Sequence, residues 1–197
     1  MKILITGGLG HIGSYILQNI SKIKMIKKVY IIDDLSTQRY SSLFSLKNSN
    51  KKIYFLQKDL SKKDALKKFT KVDVVLNLAS ITDAAESLKI KNKIYKINLG
   101  IFDNILKYCK KNSSKLIHIS STSVYGEQRG LIDEMCENLR PKSPYAEIKV
   151  IEERKLKLIK NQIKFVSYRF GTISGFSPGM RFHTAVNKFC LSCSLGL

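Results

Sequence analysis

The chain has 197 residues, enough for one domain with its own core or for one domain and part of another. Hydrophobic residues make up 44% and charged residues 25%, the balance of a globular protein, and no apolar run nears the roughly 18 to 20 residues needed to cross a bilayer. The formal net charge of +20 would suit a nucleic-acid or membrane surface, but only six of the 35 basic residues are Arg. The lysines are scattered along predicted helix faces, whereas groove and phosphate readers favour the bidentate guanidinium. The expectation is therefore no nucleic-acid and no membrane partner, with a charge that still attracts an anionic substrate at long range. With no signal-peptide pattern ahead of the first strand, the expected location is cytoplasmic.

In chain order, residues 2–6 form a buried strand and residues 11 to about 23 a helix with Ile12, Ile16, Leu17 and Ile20 on one face. Residues 29–33 and 53–56 are the second and third strands, and a short Lys-rich helix follows Asp59. Residues 72–78 are a fourth strand, residues 84 to about 110 a long helical stretch with an interruption near Lys91, and residues 116–120 a fifth strand. After a loop over 123–143, a helix runs from Pro144 to about residue 161, with Ser143 as its N-cap and proline in its first position; residues 163–169 form the sixth strand. Short apolar strands without alternation, separated by helices, predict a doubly wound parallel sheet of the Rossmann type with helices on both faces. Residues 1–170 are read as this dinucleotide-binding domain. Residues 171–197 are read as the start of an incomplete substrate-binding lobe, which opens an apolar helix near Arg181. Of the four cysteines, Cys190 and Cys193 form a single C-x-x-C in an apolar run and are expected to be small core residues with free thiols. No second pair stands at zinc spacing, so no metal site is expected.

Thr6-Gly7-Gly8-Leu9-Gly10-His11-Ile12-Gly13 joins the first strand to the first helix. Glycines at 7, 10 and 13 permit a tight turn, close approach of a pyrophosphate and close helix-on-strand packing, and the helix N-terminus offers free N–H groups to phosphate. Asp33 ends the second strand 20 residues beyond Gly13. A carboxylate there accepts from ribose hydroxyls and repels a 2′-phosphate, which favours NAD; the nearby Arg39 keeps NADP as the alternative. Asp34 is read as a solvated loop residue. Tyr145-Ala-Glu-Ile-Lys149 places a phenol and an ammonium one helical turn apart, a spacing shared by many surface pairs. Ser120-Ser-Thr-Ser-Val-Tyr-Gly126 follows the fifth strand, at the sheet edge where an open parallel sheet binds ligands. An ammonium and a cationic nicotinamide would both favour a phenolate able to act as a general base, and a hydroxyl there could hold the substrate oxygen. His118, inside the fifth strand, is read as packed; His11 lies at the phosphate turn, and His183 is read as a surface residue.

These motifs, with Asn77-Leu-Ala-Ser80 and in this order, resemble the extended short-chain dehydrogenase/reductases, most nearly their NAD-dependent epimerase/dehydratase branch, over roughly residues 1–185. The resemblance implies a tightly held NAD, a nucleotide-sugar substrate and a homodimer paired through the helices around 84–110 and 144–161. It implies Ser121 as the catalytic hydroxyl, Tyr145 as acid/base and Lys149 as its partner. Cofactor contacts would come from Gly7, Gly10, His11, Ile12, Gly13, Asp33, Leu78, Ala79 and Asn98, and from Tyr145 and Lys149. Lys58-Asp59-Leu60 resembles the segment contacting adenine, with Lys58 in place of a small residue. Arg169 matches the Arg that ends strand six, and Gly171 stands where many members carry Asn. Dehydratases of the family carry an acidic pair where this chain has Thr122 and Ser123, so C4 epimerisation ranks above dehydration, and plain reduction third. Family members continue for about a hundred residues more, so the other expectation is a truncated NAD-binding module without activity.

Overall fold

A computed structural model describes residues 1–44, 46, 50–82, 91–182 and 184–197. Six strands form one parallel sheet in the order β3-β2-β1-β4-β5-β6: β1 (Lys2–Thr6), β2 (Lys28–Asp33), β3 (Lys52–Gln57), β4 (Val74–Asn77), β5 (Lys115–Ser121) and β6 (Phe165–Phe170). The helices are α1 (His11–Asn19), the four-residue α2 (Ser41–Phe44), α3 (Lys91–Asn112), α4 (Pro144–Leu158) and α5 (Ala185–Ser194), with 3-10 turns at Ile20–Lys22 and Thr122–Val124. Strand order reverses between β1 and β4, where Thr6 pairs with both Ile32 and Asn77. All six carboxyl ends therefore lie along one edge, and crossovers leaving β1 and β4 in opposite directions open a crevice there.

The missing alternation in the strands has a direct cause. Leu4 of β1 packs on one face of the sheet with Phe102 and Ile105 of α3 and Leu156 of α4, while its neighbours Ile3 and Ile5 pack on the other with Leu17 and Ile20. Both faces of β1 are dry, so both parities are apolar. Cover thins at the edges: Tyr54, Phe55 and Leu56 of β3 and Val166 and Tyr168 of β6 are exposed.

Three expectations need correction. The stretch after Asp59 is a chain of turns, not a helix: Asp64 sits at φ 55°, and Ala65, Lys67 and Phe69 donate to carbonyls three residues back. Cys190 and Cys193 lie on α5 as expected, and all four thiols are free, but these two are exposed; only Cys109 is a core cysteine. The apolar helix begins at Ala185 rather than near Arg181, whose carbonyl accepts from the Thr184 hydroxyl and the Asn187 amide. Residues 84–90 of the long helical stretch, with the expected interruption next to Lys91, and His183 lie outside the described residues.

Candidate active site

At the crevice the chain leaves β1 through Gly7, whose φ of +62° is left-handed and whose missing Cβ would lie 2.7 Å from the Ala79 backbone. The Gly7 N–H donates to the Ile32 carbonyl, and the Thr6 hydroxyl ties the two central strands together by donating to Asn77 Oδ1 at 2.8 Å and accepting from the Ala79 N–H at 3.3 Å. Gly13 lets α1 settle on this turn: a Cβ there would stand 2.4 Å from the Gly8 carbonyl oxygen. Gly10 caps α1 with no side-chain acceptor, so the first-turn N–H groups are left for an anion.

Two adjoining hollows run along this edge and share Gly7, Gly10, Leu78 and Arg181. The smaller, of about 250 Å³, is bounded by Asp33, Arg39, Lys58, Asp59, Leu60 and Ala79. Asp33 is fixed there, Oδ2 accepting from the Leu9 N–H at 3.1 Å and Oδ1 from Leu35 at 3.0 Å. Burial raises its pKa above the ordinary carboxylate value, against the pull of those two N–H groups. Asp34 is the loop residue expected, accepting from Ser36 at the surface. Asp59 accepts from the N–H and hydroxyl of Ser61. Its modest burial would raise its pKa, but these bonds and Lys62 hold it below the usual value.

The larger hollow, of about 430 Å³, brings Gly7, Gly10, His11, Ile12 and Gly13 together with Ser121, Tyr145 and Gly171. Ser121 ends β5, and its oxygen accepts from the N–H of Ser123 at 3.2 Å and from its hydroxyl at 2.8 Å, which leaves the Ser121 O–H to donate. Tyr145 stands in the first turn of α4, set by Pro144 at the helix start and by Ser143, whose Oγ accepts from the Ala146 N–H at 3.2 Å. Lys149 follows one turn later, with Nζ 5.6 Å from the Tyr145 ring centroid.

Not every expected residue borders the cleft. Lys149 is 3% exposed and lies beneath it. Asn98 is buried on α3, where its amide grips the Ile81 N–H and carbonyl at 2.9 and 3.0 Å and so fixes the loop that leaves β4. The His11 ring turns from the phosphate turn toward the Gly175 carbonyl, with Nε2 2.8 Å away. His118 is packed as expected, fully buried against Phe102.

Sequence reasoning missed the polar layer below the floor. Lys149 Nζ donates to Glu152 Oε2 at 2.8 Å, and His118 Nε2 lies 3.3 Å from the same oxygen. The next residue, Glu153, accepts from both Nε and Nη2 of Arg169 and from the Ser120 hydroxyl, while Arg169 Nη1 reaches Tyr125. The i, i+3 spacing of Lys149 and Glu152 was the available signal. Also missed was the segment at 175–179, which crosses α1: the Ser177 hydroxyl donates to the His11 carbonyl and the Gly179 N–H to Ser14 Oγ. Among the described residues no cluster of His, Cys, Asp and Glu could hold a metal, and no helix is long and apolar enough to cross a membrane.

Residues 3–192 match the model of the NAD dependent epimerase/dehydratase family. An uncharacterized UDP-glucose epimerase, YtcB, of Bacillus subtilis is 31% identical over 197 aligned positions, covering 95% of this chain and 62% of that protein. The UDP-glucuronic acid 4-epimerase of Bacillus cereus, solved with UDP-glucuronic acid and NAD, superposes with a TM-score of 0.86 at 30% identity over 99% of this chain and 63% of its own. The UDP-N-acetylglucosamine 4-epimerase of Methanobrevibacter ruminantium, solved with UDP-N-acetylmuramic acid, gives 0.84 at 29% identity, covering 99% of this chain and 63% of its own. The chain thus spans somewhat over three-fifths of the length of these relatives.

Proposed function

This chain belongs to the NAD dependent epimerase/dehydratase family, and we propose that it binds NAD along the carboxyl edge of its sheet and epimerises a nucleotide sugar at C4 through a transient keto sugar. The observation that carries the reading is the larger cleft, in which the glycine turn, Ser121 and Tyr145 face one space above Lys149.

The residues present fit the cofactor. The uncapped first turn of α1 suits a pyrophosphate, and Asp33 suits the hydroxyls of an adenosine ribose. Lys149 would donate to the second ribose. Bound NAD would supply the acceptor and donor of a hydride. The chain's own part is proton handling and orientation. Tyr145 takes the proton of the sugar hydroxyl and later returns it, Ser121 donates to the same oxygen, and Lys149 places a positive charge beside the phenol. Dehydration needs a further carboxylate acid or base, and among the described residues lining the larger cleft none carries a carboxylate. That favours epimerisation. By the same likeness we propose a homodimer paired across α3 and α4.

The test is turnover of UDP-, GDP- and dTDP-sugars by the NAD-loaded chain. Tyr145→Phe is expected to lower turnover at least ~100-fold, the scale of a lost general acid/base, while the Kd for NAD by calorimetry stays within about threefold, since phenylalanine keeps the ring and loses only one hydrogen bond. Turnover surviving in that variant would remove Tyr145 from the mechanism. NAD binding without turnover of any sugar would favour a binding module.

A further inference from the structure

Beneath the floor of the cleft lie two adjacent carboxylates whose partners do not overlap. Glu153 is saturated by the bidentate guanidinium of Arg169 and the Ser120 hydroxyl. Glu152, 2% exposed, meets the Lys149 ammonium at 2.8 Å and the His118 ring at 3.3 Å. The charged and titratable groups that face Lys149 are Tyr145, Glu152 and Glu153 from α4 and His118 from β5, while α3 presents the Phe102 ring to His118. Burial, together with the Lys149 charge, lowers the His118 pKa against the pull of Glu152 and Glu153. Neither ring nitrogen meets a hydrogen-bond partner among the described residues, although Nε2 stands 3.3 Å from Glu152 Oε2.

We propose that Glu152 is a positioning residue: a buried counter-charge that fixes the Lys149 ammonium below Tyr145 and keeps it charged away from water. The inference rests on the functional reading above and assigns a group that acts through Lys149. An ammonium has three donors. One is spent on Glu152, which leaves two for a ribose hydroxyl and for the phenol side. At 3% exposure the ammonium has little water to stabilise it, and an unpaired buried lysine loses its proton readily. Burial alone would lower the Lys149 pKa; Glu152 first, with Tyr145 and Glu153, outweighs that and raises it. Without the carboxylate, the amine below Tyr145 would lose its proton at a lower pH.

The test follows Lys149 itself, in the chain without cofactor or substrate, by NMR of 13C-lysine, with its signal assigned by loss in Lys149→Met. Glu152→Gln is expected to lower the Lys149 midpoint by about two pH units or more, within the range seen for buried lysines. Glu152→Asp, which keeps the charge but retracts it, is expected to fall in between. A second reading is NAD affinity, which should weaken about tenfold more between pH 6 and 9 in Glu152→Gln than in the parent chain, as the amine loses its proton. A Lys149 midpoint in Glu152→Gln equal to that of the parent overturns the proposal. Should Glu152→Gln not fold by thermal melt, Glu152→Asp decides: a lowered midpoint supports the proposal and an unchanged one overturns it. Because the titration needs no turnover, it stays readable even if Tyr145→Phe proves active.

Discussion

A methyl group at Gly13 would sit 2.4 Å from the Gly8 carbonyl oxygen and 2.6 Å from its carbonyl carbon, and neither atom belongs to a side chain that could swing away. Gly13→Ala must therefore shift the turn or α1. The expected cost is ~2 kcal/mol or more by urea unfolding, at the upper end of overpacking losses, together with loss of measurable NAD binding. Asp33 gives a prediction of opposite character. Its pKa is raised by burial, so its charge is lost at a higher pH than that of an ordinary aspartate. If the ionised carboxylate accepts the ribose hydroxyls, NAD affinity is full above that raised value and falls as pH drops through it. Calorimetry between pH 7 and 4 should show the fall, and Asp33→Asn should flatten it. Both residues were legible in the sequence because the backbone turn and the strand end dictate them locally. Thr6 and Asn98 were harder to read. Thr6 acts on Asn77, 71 residues away, and Asn98 on Ile81, 17 residues away, so their roles exist only once the sheet has assembled.

At the scale of single elements, α4 carries the most. It begins at a proline, is capped by the Ser143 oxygen, and presents Tyr145, Lys149, Glu152 and Glu153 toward β5 and β6. Ser143→Ala removes the acceptor from the Ala146 N–H and should cost ~1 kcal/mol of unfolding free energy; because the frayed turn contains Tyr145, turnover should fall more than NAD affinity, measured side by side. This helix and the six strands were readable because cap, proline and continuous apolar runs are local signals. The turns after Asp59 were not, since a lysine-rich amphipathic stretch satisfies the helical period even where one residue, Asp64, takes a left-handed backbone. Nor was the crossing of 175–179 over α1, whose bonds to His11 and Ser14 span more than 160 residues. The buried Lys149–Glu152 pair of α4 was missed because charged residues at i, i+3 look the same in sequence whether they face water or the core.

The whole molecule carries a formal charge of +20, so its folded state works against self-repulsion that the extended chain largely escapes. Against this stand the buried pair Lys149–Glu152 and the part-buried pair Arg169–Glu153. Burial alone would raise both glutamates, but their cationic and hydrogen-bonding partners hold the pKa of each below the ordinary value. A carboxylate depressed on folding contributes stability that is complete above its unfolded pKa and disappears as pH falls through the folded one. Acidification therefore removes the attractive pairs while adding positive charge, and unfolding should be steep below about pH 4, near the ordinary glutamate pKa. Salt separates the two contributions. At 0.1 M the screening length is about 10 Å, short enough to weaken repulsion spread over the surface and too long to reach buried contacts at 2.8 Å. At pH 7 the melting temperature should therefore rise as sodium chloride goes from about 20 to 300 mM, where the Debye length shrinks several-fold, and should rise less in a variant with six exposed lysines changed to glutamine. A melting temperature that falls with salt would mean that surface pairs such as Lys142–Glu127 outweigh the net charge.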